Sequence, residues 1–533
     1  MKTIAISDGK LYNTLKMGRK LENLKKSAIF NNLYGGKNMD LQMRSDSLAK
    51  AKKLLNDKTN ADKLHKAGKH TAYELMDMLF DSGTFVETNA YVRAYANELG
   101  TSNPAEYEGV VCGYGAVDGR LTFAYVQNAA RMNGAFSKAA AAKITALCDM
   151  AIKNGAPVVS VFDSNGAKIE EGVDVLAGYG AVMKKTAALS GRVPQIAVVC
   201  GNTAGASATI ASMADVRVMT ENAKFSVSPA SVLADNGADK DAASAKSAYE
   251  NGYVDVMCAK DEDAFESVKD ILSFLPSNKL DNNVYTGVED DPNRATPEVE
   301  TLVANENYDA HELIKSVADG ARFAELGAGK ANAVITAFMT VNGVVCGVAA
   351  NNPAHNGGRL SAGALRKLSA FVNLCNSFGI SVLNLVDTKG YNAKCEAEGG
   401  RMTEESAKTA KAYALASVPV ITVYTGSAYG SALTVMGSKA LGADLVLALD
   451  SAKLGVLDPA ASVAMMWTEK LLGAKAPIEK RKALEEEWAN VMSTPLMAAY
   501  SGQVDDIVPA AELRQRIASA LEMLSMKKEF LDL

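Results

Sequence analysis

A β-branched run that ends in Asp and a glycine turn occurs twice in this chain, and no other feature restricts its possible folds as much. The first copy is Ala156-Pro-Val-Val-Ser-Val-Phe162 followed by Asp163-Ser-Asn-Gly-Ala-Lys168. The second is Gly379-Ile-Ser-Val-Leu-Asn-Leu-Val386 followed by Asp387-Thr-Lys-Gly-Tyr-Asn392. Runs of this kind read as strands buried on both faces, the habit of a parallel sheet. Downstream, the segments Val193 to Ala206 and Val418 to Ser431 match in the same way, each a strand running into a turn of small residues. The intervals agree, since 387 − 163 and 390 − 166 give 224 while 418 − 193 and 430 − 205 give 225. Upstream, Tyr73-Glu-Leu75 before Asp81-Ser-Gly-Thr-Phe-Val-Glu87 is echoed by His311-Glu-Leu313 before Asp319-Gly-Ala-Arg-Phe-Ala-Glu325. There 312 − 74 and 319 − 81 give 238, so a few residues were gained or lost within the copies. One α/β unit is written twice.

A chain of 533 residues holds two lobes of about 200 to 250 residues, a size that suits a large α/β unit. The expected boundaries are a basic, polar arm over 1–60, a first lobe over 61–276, an Asn- and Asp-rich linker over 277–307 and a second lobe over 308–533. A net charge of −5 offers no basic footprint for nucleic acid. The cysteines (Cys112, Cys148, Cys200, Cys258, Cys346, Cys375 and Cys395) lack C-x-x-C spacing and read as buried free thiols of a reducing compartment. Without an apolar leader or a run of about 18 apolar residues, the expected location is cytoplasmic.

The turns carry the candidate chemistry. After Asp163 a glycine lets a backbone N–H point outward with little obstruction. At Thr203-Ala-Gly-Ala-Ser-Ala208 a second strand ends in small residues and continues as a helix, whose first amides are unpaired and favour negative charge. One amide from each turn makes an oxyanion hole. The second lobe supplies its own pair around Gly390-Tyr391 and Gly430-Ser431. A single such turn more often serves close packing, and a duplication would copy scaffold along with site. Asp163 and Asp387 are expected to satisfy nearby turn amides rather than to act as acid or base. The four histidines, His65, His70, His311 and His355, are dispersed, and only His355, in the loop Asn351-Asn-Pro-Ala-His-Asn-Gly-Gly358, is weighed as a neighbour of the second-lobe turns.

At this level the chain resembles the carboxyltransferase subunits of biotin-dependent acyl-CoA carboxylases and decarboxylases. The matching segments are Ala67-Gly-Lys-His-Thr-Ala72, Phe80 to Glu87, Gly109-Val-Val-Cys-Gly-Tyr-Gly115, Asn154-Gly-Ala-Pro-Val158, Ile169-Glu-Glu-Gly-Val173, Asp291-Pro-Asn-Arg294, Asp387 to Gly390 and Ala428-Tyr-Gly-Ser-Ala432, in order from about residue 60 onward. The resemblance implies two tandem crotonase-like (ClpP/crotonase) lobes, acyl-CoA held chiefly by the first and biotin by the second. Carried residue by residue, it places Gly166, Ala167, Gly205 and Ala206 on the turns for the acyl-CoA enolate, and Lys168, where the family has Arg, at a CoA phosphate with a looser grip because the bidentate fork is lost. It places Tyr391, Gly430, Ser431 and Ala432 on the turns for the biotin ureido oxygen, and Thr434 in the acyl pocket. The chain departs from the family where Asn165, Ala206 and Ser431 stand for glycines; such changes preserve the backbone amide where φ is negative.

The resemblance further implies biotin on a partner carrier, a coenzyme A thioester as substrate, and no metal. Implied partners are a biotin carboxyl carrier protein, a biotin carboxylase or membrane decarboxylase subunit, and further copies of the chain, from dimer to hexamer. The chain has no Met-Lys-Met biotinylation sequence; Ser525-Met-Lys-Lys528 is the nearest approach. The alternatives are a crotonase-like acyl-CoA hydratase or thioesterase, which needs a free Asp or Glu beside the turn, and a non-catalytic scaffold paralogue.

Overall fold

The computed structural model describes residues 61–93, 107–239, 241–281, 290–394, 400–472 and 476–527, together with Asp46, Leu48 and Ala49. Apart from those three positions the expected N-terminal arm lies outside the described residues, as do Cys395, Lys528 and the middle of the expected linker.

The first lobe opens with α1 (Ala72–Leu79), fixed by a capping box in which Thr71 and Glu74 each accept the other's backbone N–H. The strands β1 (Val86–Thr88), β2 (Val110–Val117), β3 (Arg120–Gln127), β4 (Val158–Phe162), β5 (Gln195–Val199), β7 (Val216–Thr220) and β9 (Val256–Cys258) form one sheet in that order. The first three are antiparallel and the rest parallel. Two short strands, β6 (Asn202–Ala204) and β8 (Lys224–Ser226), make a separate parallel pair. The helices α2 (Lys138–Asn154), α3 (Val173–Leu189), α4 (Ala206–Ser212) and α5 (Asp261–Phe274) connect them.

The second lobe repeats this order. After α6 (Glu298–Val303) and α7 (Ala310–Val317), its sheet runs β10 (Phe323–Leu326), β11 (Val334–Val341), β12 (Val344–Asn351), β13 (Ser381–Thr388), β14 (Val420–Tyr429), β15 (Leu445–Leu449) and β17 (Asp506–Val508), with β16 (Lys453–Gly455) pairing the end of β14. The connecting helices are α8 (Ala362–Ser377), α9 (Met402–Ala414), α10 (Ser431–Val435) and α11 (Leu513–Met523). The repetition extends to single bonds. In each hairpin tip both central residues have positive φ (Asp118 and Gly119, Asn342 and Gly343), and their amides are taken by the carboxylate of Asp81 or Asp319 at 2.8–3.1 Å. The echo of Asp81 in Asp319 is therefore a turn-holding device.

The two lobes share an apolar core that runs from Val161, Ile196 and Phe265 to Phe338, Leu368 and Phe378. The far end of the expected linker is folded against the second lobe. Thr296 and Val299 are fully buried, α6 lies within the linker's expected bounds, and Thr296 is bonded to Ala510 and Ala511 at 2.8 Å. The reason is Arg514, which is wholly buried and needs acceptors: the Asp291 carbonyl at 2.7 Å and the Asp319 carboxylate at 2.5 Å supply them. Among the described residues no helix is long and apolar enough to cross a membrane. The six cysteines among the described residues are free thiols, and burial pushes Cys112, Cys148 and Cys346 up to about 12.

Candidate functional site at the strand-end turns

Beyond β4 the chain makes one isolated bridge and then turns away. Phe136 N–H donates to Gly166 O at 2.9 Å, and Lys168 N–H donates to Phe136 O at 2.8 Å. Ala167 faces away from Phe136, and its N–H has no acceptor among the described residues. Beyond β13, Leu360 N–H donates to Gly390 O at 3.0 Å and Asn392 N–H to Leu360 O at 2.8 Å, which leaves the Tyr391 N–H outward in the same way. The hydroxyl two residues before each glycine closes the turn: Gly166 N–H donates to Ser164 Oγ at 3.1 Å, and Gly390 N–H to Thr388 Oγ1 at 3.3 Å.

The helix-end turns are built alike. Gly205 N–H donates to Val227 O at 2.8 Å and Gly430 N–H to Gly455 O at 3.0 Å, so both glycines are tied to the neighbouring short strand. Ala206 and Ser431 then occupy the first positions of α4 and α10, where the amides have no helical acceptor. In the first lobe Ser164 N–H donates to Asn202 O at 2.8 Å, and in the second Thr388 pairs with Ala428, so the two turns of each lobe lie side by side.

These bonds distinguish Gly166, Gly205 and Gly430 from the residues that follow them. The glycine N–H groups are used inside the scaffold, and the residues that follow, Ala167, Ala206 and Ser431, present free amides, as Tyr391 does. The glycines make the corners, with φ of +114° at Gly166, +61° at Gly205 and +66° at Gly430. Asn165, Ala206 and Ser431, where family glycines are missing, are not among the residues of positive φ. A Cβ costs little there, and every corner that demands glycine has kept it.

Asp163 and Asp387 hold the turns from beneath. A Cβ on Gly201 would lie 2.0 Å from Asp163 Oδ1, and one on Gly426 would lie 2.1 Å from Asp387 Oδ2. The carboxylates accept the next amides, Asn202 N–H at 3.1 Å and Ser427 N–H at 2.9 Å. Asp163 also receives Lys69 Nζ at 2.7 and 2.8 Å. Asp387 has no such ammonium among the described residues, and burial pushes its carboxyl up to about 6 against the opposing bond from Ser427. Both carboxylates thus satisfy turn amides.

Lys168 is buried, with Nζ 3.9 Å from Glu171 Oε1 and beside Glu108, so its ammonium faces carboxylates inside the lobe rather than a phosphate outside it. Thr434 is exposed on α10, and Ala432 is fully buried beneath it. His355 is exposed at the edge of a loop whose Gly357 carbonyl accepts Lys389 N–H at 3.1 Å, which sets the loop against the second-lobe turn. Sequence reasoning missed Gly134 and Gly358, on which a Cβ would lie 2.2 Å from the carbonyls of Asp163 and Asp387, and the pinning residues Phe136 and Leu360. The signal was present, because 358 − 134 and 360 − 136 again give 224.

Residues 63–532 match the model of the carboxyl transferase domain. Among curated relatives, the chain is 34% identical over 500 residues to methylmalonyl-CoA decarboxylase subunit alpha of Propionigenium modestum, covering 92% of this chain and 96% of the relative. It is 35% identical over 491 residues to the propionyl-CoA carboxylase beta chain of Saccharopolyspora erythraea, covering 88% and 90%. Among solved structures it is similar to transcarboxylase 12S, a hexamer with methylmalonyl-CoA and methylmalonic acid bound, with a TM-score of 0.86 at 32% identity over 91% of this chain and 96% of that one.

Proposed function

The chain belongs to the carboxyl transferase domain family, and from that premise we propose that it moves CO2 between carrier-bound biotin and the α-carbon of a short acyl-CoA. The observation that supports the reading is the duplicated set of free amides, Ala167 and Ala206 in one lobe and Tyr391 and Ser431 in the other.

In the first lobe the Ala167 and Ala206 N–H groups take the thioester oxygen. Their hold strengthens as that oxygen gains negative charge in the enolate, so they stabilise the transition state more than the bound substrate. The short helix begun by Ala206 adds its own partial positive charge. The second-lobe turn fits biotin by the same test: Tyr391 and Ser431 offer two outward donors, and a ureido carbonyl is an acceptor. Bound biotin supplies the N1′ position that carries CO2 between sites. Tyr391 and Ser431 hold the ureido oxygen, and Ala432, buried at the second position of α10, fixes the depth of that turn. Asp163, paired with Lys69, and Asp387, bonded to Ser427, keep the turns rigid without exchanging protons with substrate.

The implied partners are a biotin carboxyl carrier protein and either a biotin carboxylase or a membrane decarboxylase subunit, in the cytoplasm. Thr434, exposed on the protomer, lines the acyl pocket only once a second copy closes it. The experiment incubates the purified chain with methylmalonyl-CoA and malonyl-CoA, with and without free biotin, and follows the CO2 released on acidification from the carboxyl group transferred to biotin N1′. Release that depends on biotin is expected. Thioester consumption without biotin would favour a hydratase or thioesterase, and a folded chain with no release would favour a scaffold.

A further inference from the structure

The lobes enclose a cavity of about 300 Å³ that the carboxyl-transfer reading does not use. Asp215 and Arg217 reach it at the start of β7 and Asp255 just before β9, whereas the first-lobe turns follow the far ends of β4 and β5. The cavity thus sits at the opposite edge of the first sheet from those turns. The second lobe contributes Lys330 and one face of α8, with Arg366, Lys367, Phe371 and Leu374.

Four cations meet two carboxylates there, and the carboxylates are already engaged. Arg217 forks onto Asp255 at 2.9 and 3.0 Å, and Asp215 accepts Gln195 N–H at 2.8 Å. Two of the remaining cations lack a close carboxylate among the described residues. Lys330 donates to the Asn251 carbonyl, and Lys367 to the Val334 carbonyl at 2.9 Å. The carboxylate nearest Lys367 is Glu325, 3.9 Å away and already bonded to His311 at 2.9 Å. Arg366 meets Glu405 at 3.2 Å, a carboxylate that Lys408 shares at the same distance. Burial, and then the neighbouring Arg366, hold the Lys330 ammonium below its ordinary range, and burial brings Lys367 to about 8. Like charges crowded into one partly apolar space lower their energy when an anion enters.

We propose that this interlobe cavity binds a small organic phosphate, its dianionic head on Lys330, Arg366 and Lys367 and its apolar body against Phe371 and Leu374. A phosphate monoester carries about −1.5 to −2 charge at neutral pH, which matches Lys330 and Lys367, the two cations without a close carboxylate, with the half-exposed Arg366 beside them. A planar guanidinium beside two ammonium groups suits its oxygens, and about 300 Å³ is the lower end of the range for small-ligand sites. A ligand seated there touches both lobes and stabilises their joint fold.

Phenyl phosphate is the probe, titrated calorimetrically into the full-length protein and followed in parallel by thermal unfolding, with phenol and inorganic phosphate alongside. One equivalent per chain should bind with a Kd below about 1 mM and raise Tm, and phenol should not bind. Lys330→Met and Lys367→Met should each weaken binding by about tenfold or more, while Lys63→Met, on a surface helix elsewhere, should leave it unchanged. Saturating coenzyme A should not displace the probe. No binding up to about 10 mM, equal binding by the cavity variants, or displacement by coenzyme A would each overturn the proposal. If the cavity variants fail to fold, the wild-type titration and the coenzyme A competition still decide.

Discussion

Proline is tolerated at the first position of a helix because the N–H it lacks has no helical acceptor there, and Ala206 and Ser431 hold that position in α4 and α10. The preceding glycines, at φ +61° and ψ −131° and at φ +66° and ψ −161°, lie outside the helical region that a following proline disfavours. Ala206→Pro and Ser431→Pro should therefore fold normally and lose one oxyanion donor each, a loss of about 10² to 10³ in turnover. Circular dichroism and the biotin-dependent CO2 assay check this together; folded variants with wild-type turnover would remove those amides from the site. Much of this site was legible in sequence because corners demand glycine and a duplication prints each corner twice. Which amide is free was not legible, since that depends on bonds such as Gly205 to Val227 and Gly430 to Gly455 that span separate strands. The burial of Lys168 beside Glu171 and Glu108 was not legible either, since Glu108 comes from a distant stretch of the chain.

Two elements of the second lobe are held by charge rather than by apolar contact alone. His311 on α7 bridges Asp309 at 2.6 Å and Glu325 on β10 at 2.9 Å, and the bond to Glu325 leads in raising its pKa from 6.5 to about 9, with burial opposing. A group whose folded pKa is raised contributes its full stability below the unfolded value and loses it as pH rises through the folded one. His311→Gln should thus lower Tm relative to wild type at pH 6, with the difference shrinking through pH 9 towards pH 10. A difference that did not change with pH would mean the ring acts by packing alone. Arg514 on α11 is the second case. It and Asp319 are fully buried, so Arg514→Met strands a carboxylate and should cost about 3–5 kcal/mol, read as a lower urea midpoint at an unchanged slope. The strands and helices around these residues were legible from β-branched runs and turn glycines, and the two sheets repeat one strand order. The linker's far end was not. Its polar composition reads as solvent-facing, while Asp290 and Thr296 are polar because their side chains meet the Arg514 guanidinium and the Ala510 carbonyl.

Each lobe carries large exposed apolar side chains: Ile169, Val173 and Leu176 just after the first strand-end turn in sequence, Val227 whose carbonyl holds Gly205, and Val456, Met465, Met466 and Tyr500 on the second lobe. Large apolar groups gathered beside polar donors mark a surface that another surface covers. The rim of one lobe is a natural cover for the rim of the other, and two copies related by a twofold axis would bring lobe one of each against lobe two of its mate. The similarity to a hexameric transcarboxylase supports a closed assembly. The decisive test mixes two inactive proteins. Ala206→Pro disables the first-lobe donor and Ser431→Pro the second-lobe donor, so each homo-oligomer should be nearly inactive. If sites form between subunits, a mixed dimer holds one site with both lobes intact and one with both disabled. Random pairing makes half of the dimers mixed, and co-expressed chains should recover about a quarter of wild-type turnover. If the two lobes of one chain made a complete site, every site would carry one disabled lobe whatever its partner, and mixing would recover nothing. The same preparations examined by light scattering should give a mass of at least two chains, and Leu176→Glu should lower both the mass and the recovered turnover.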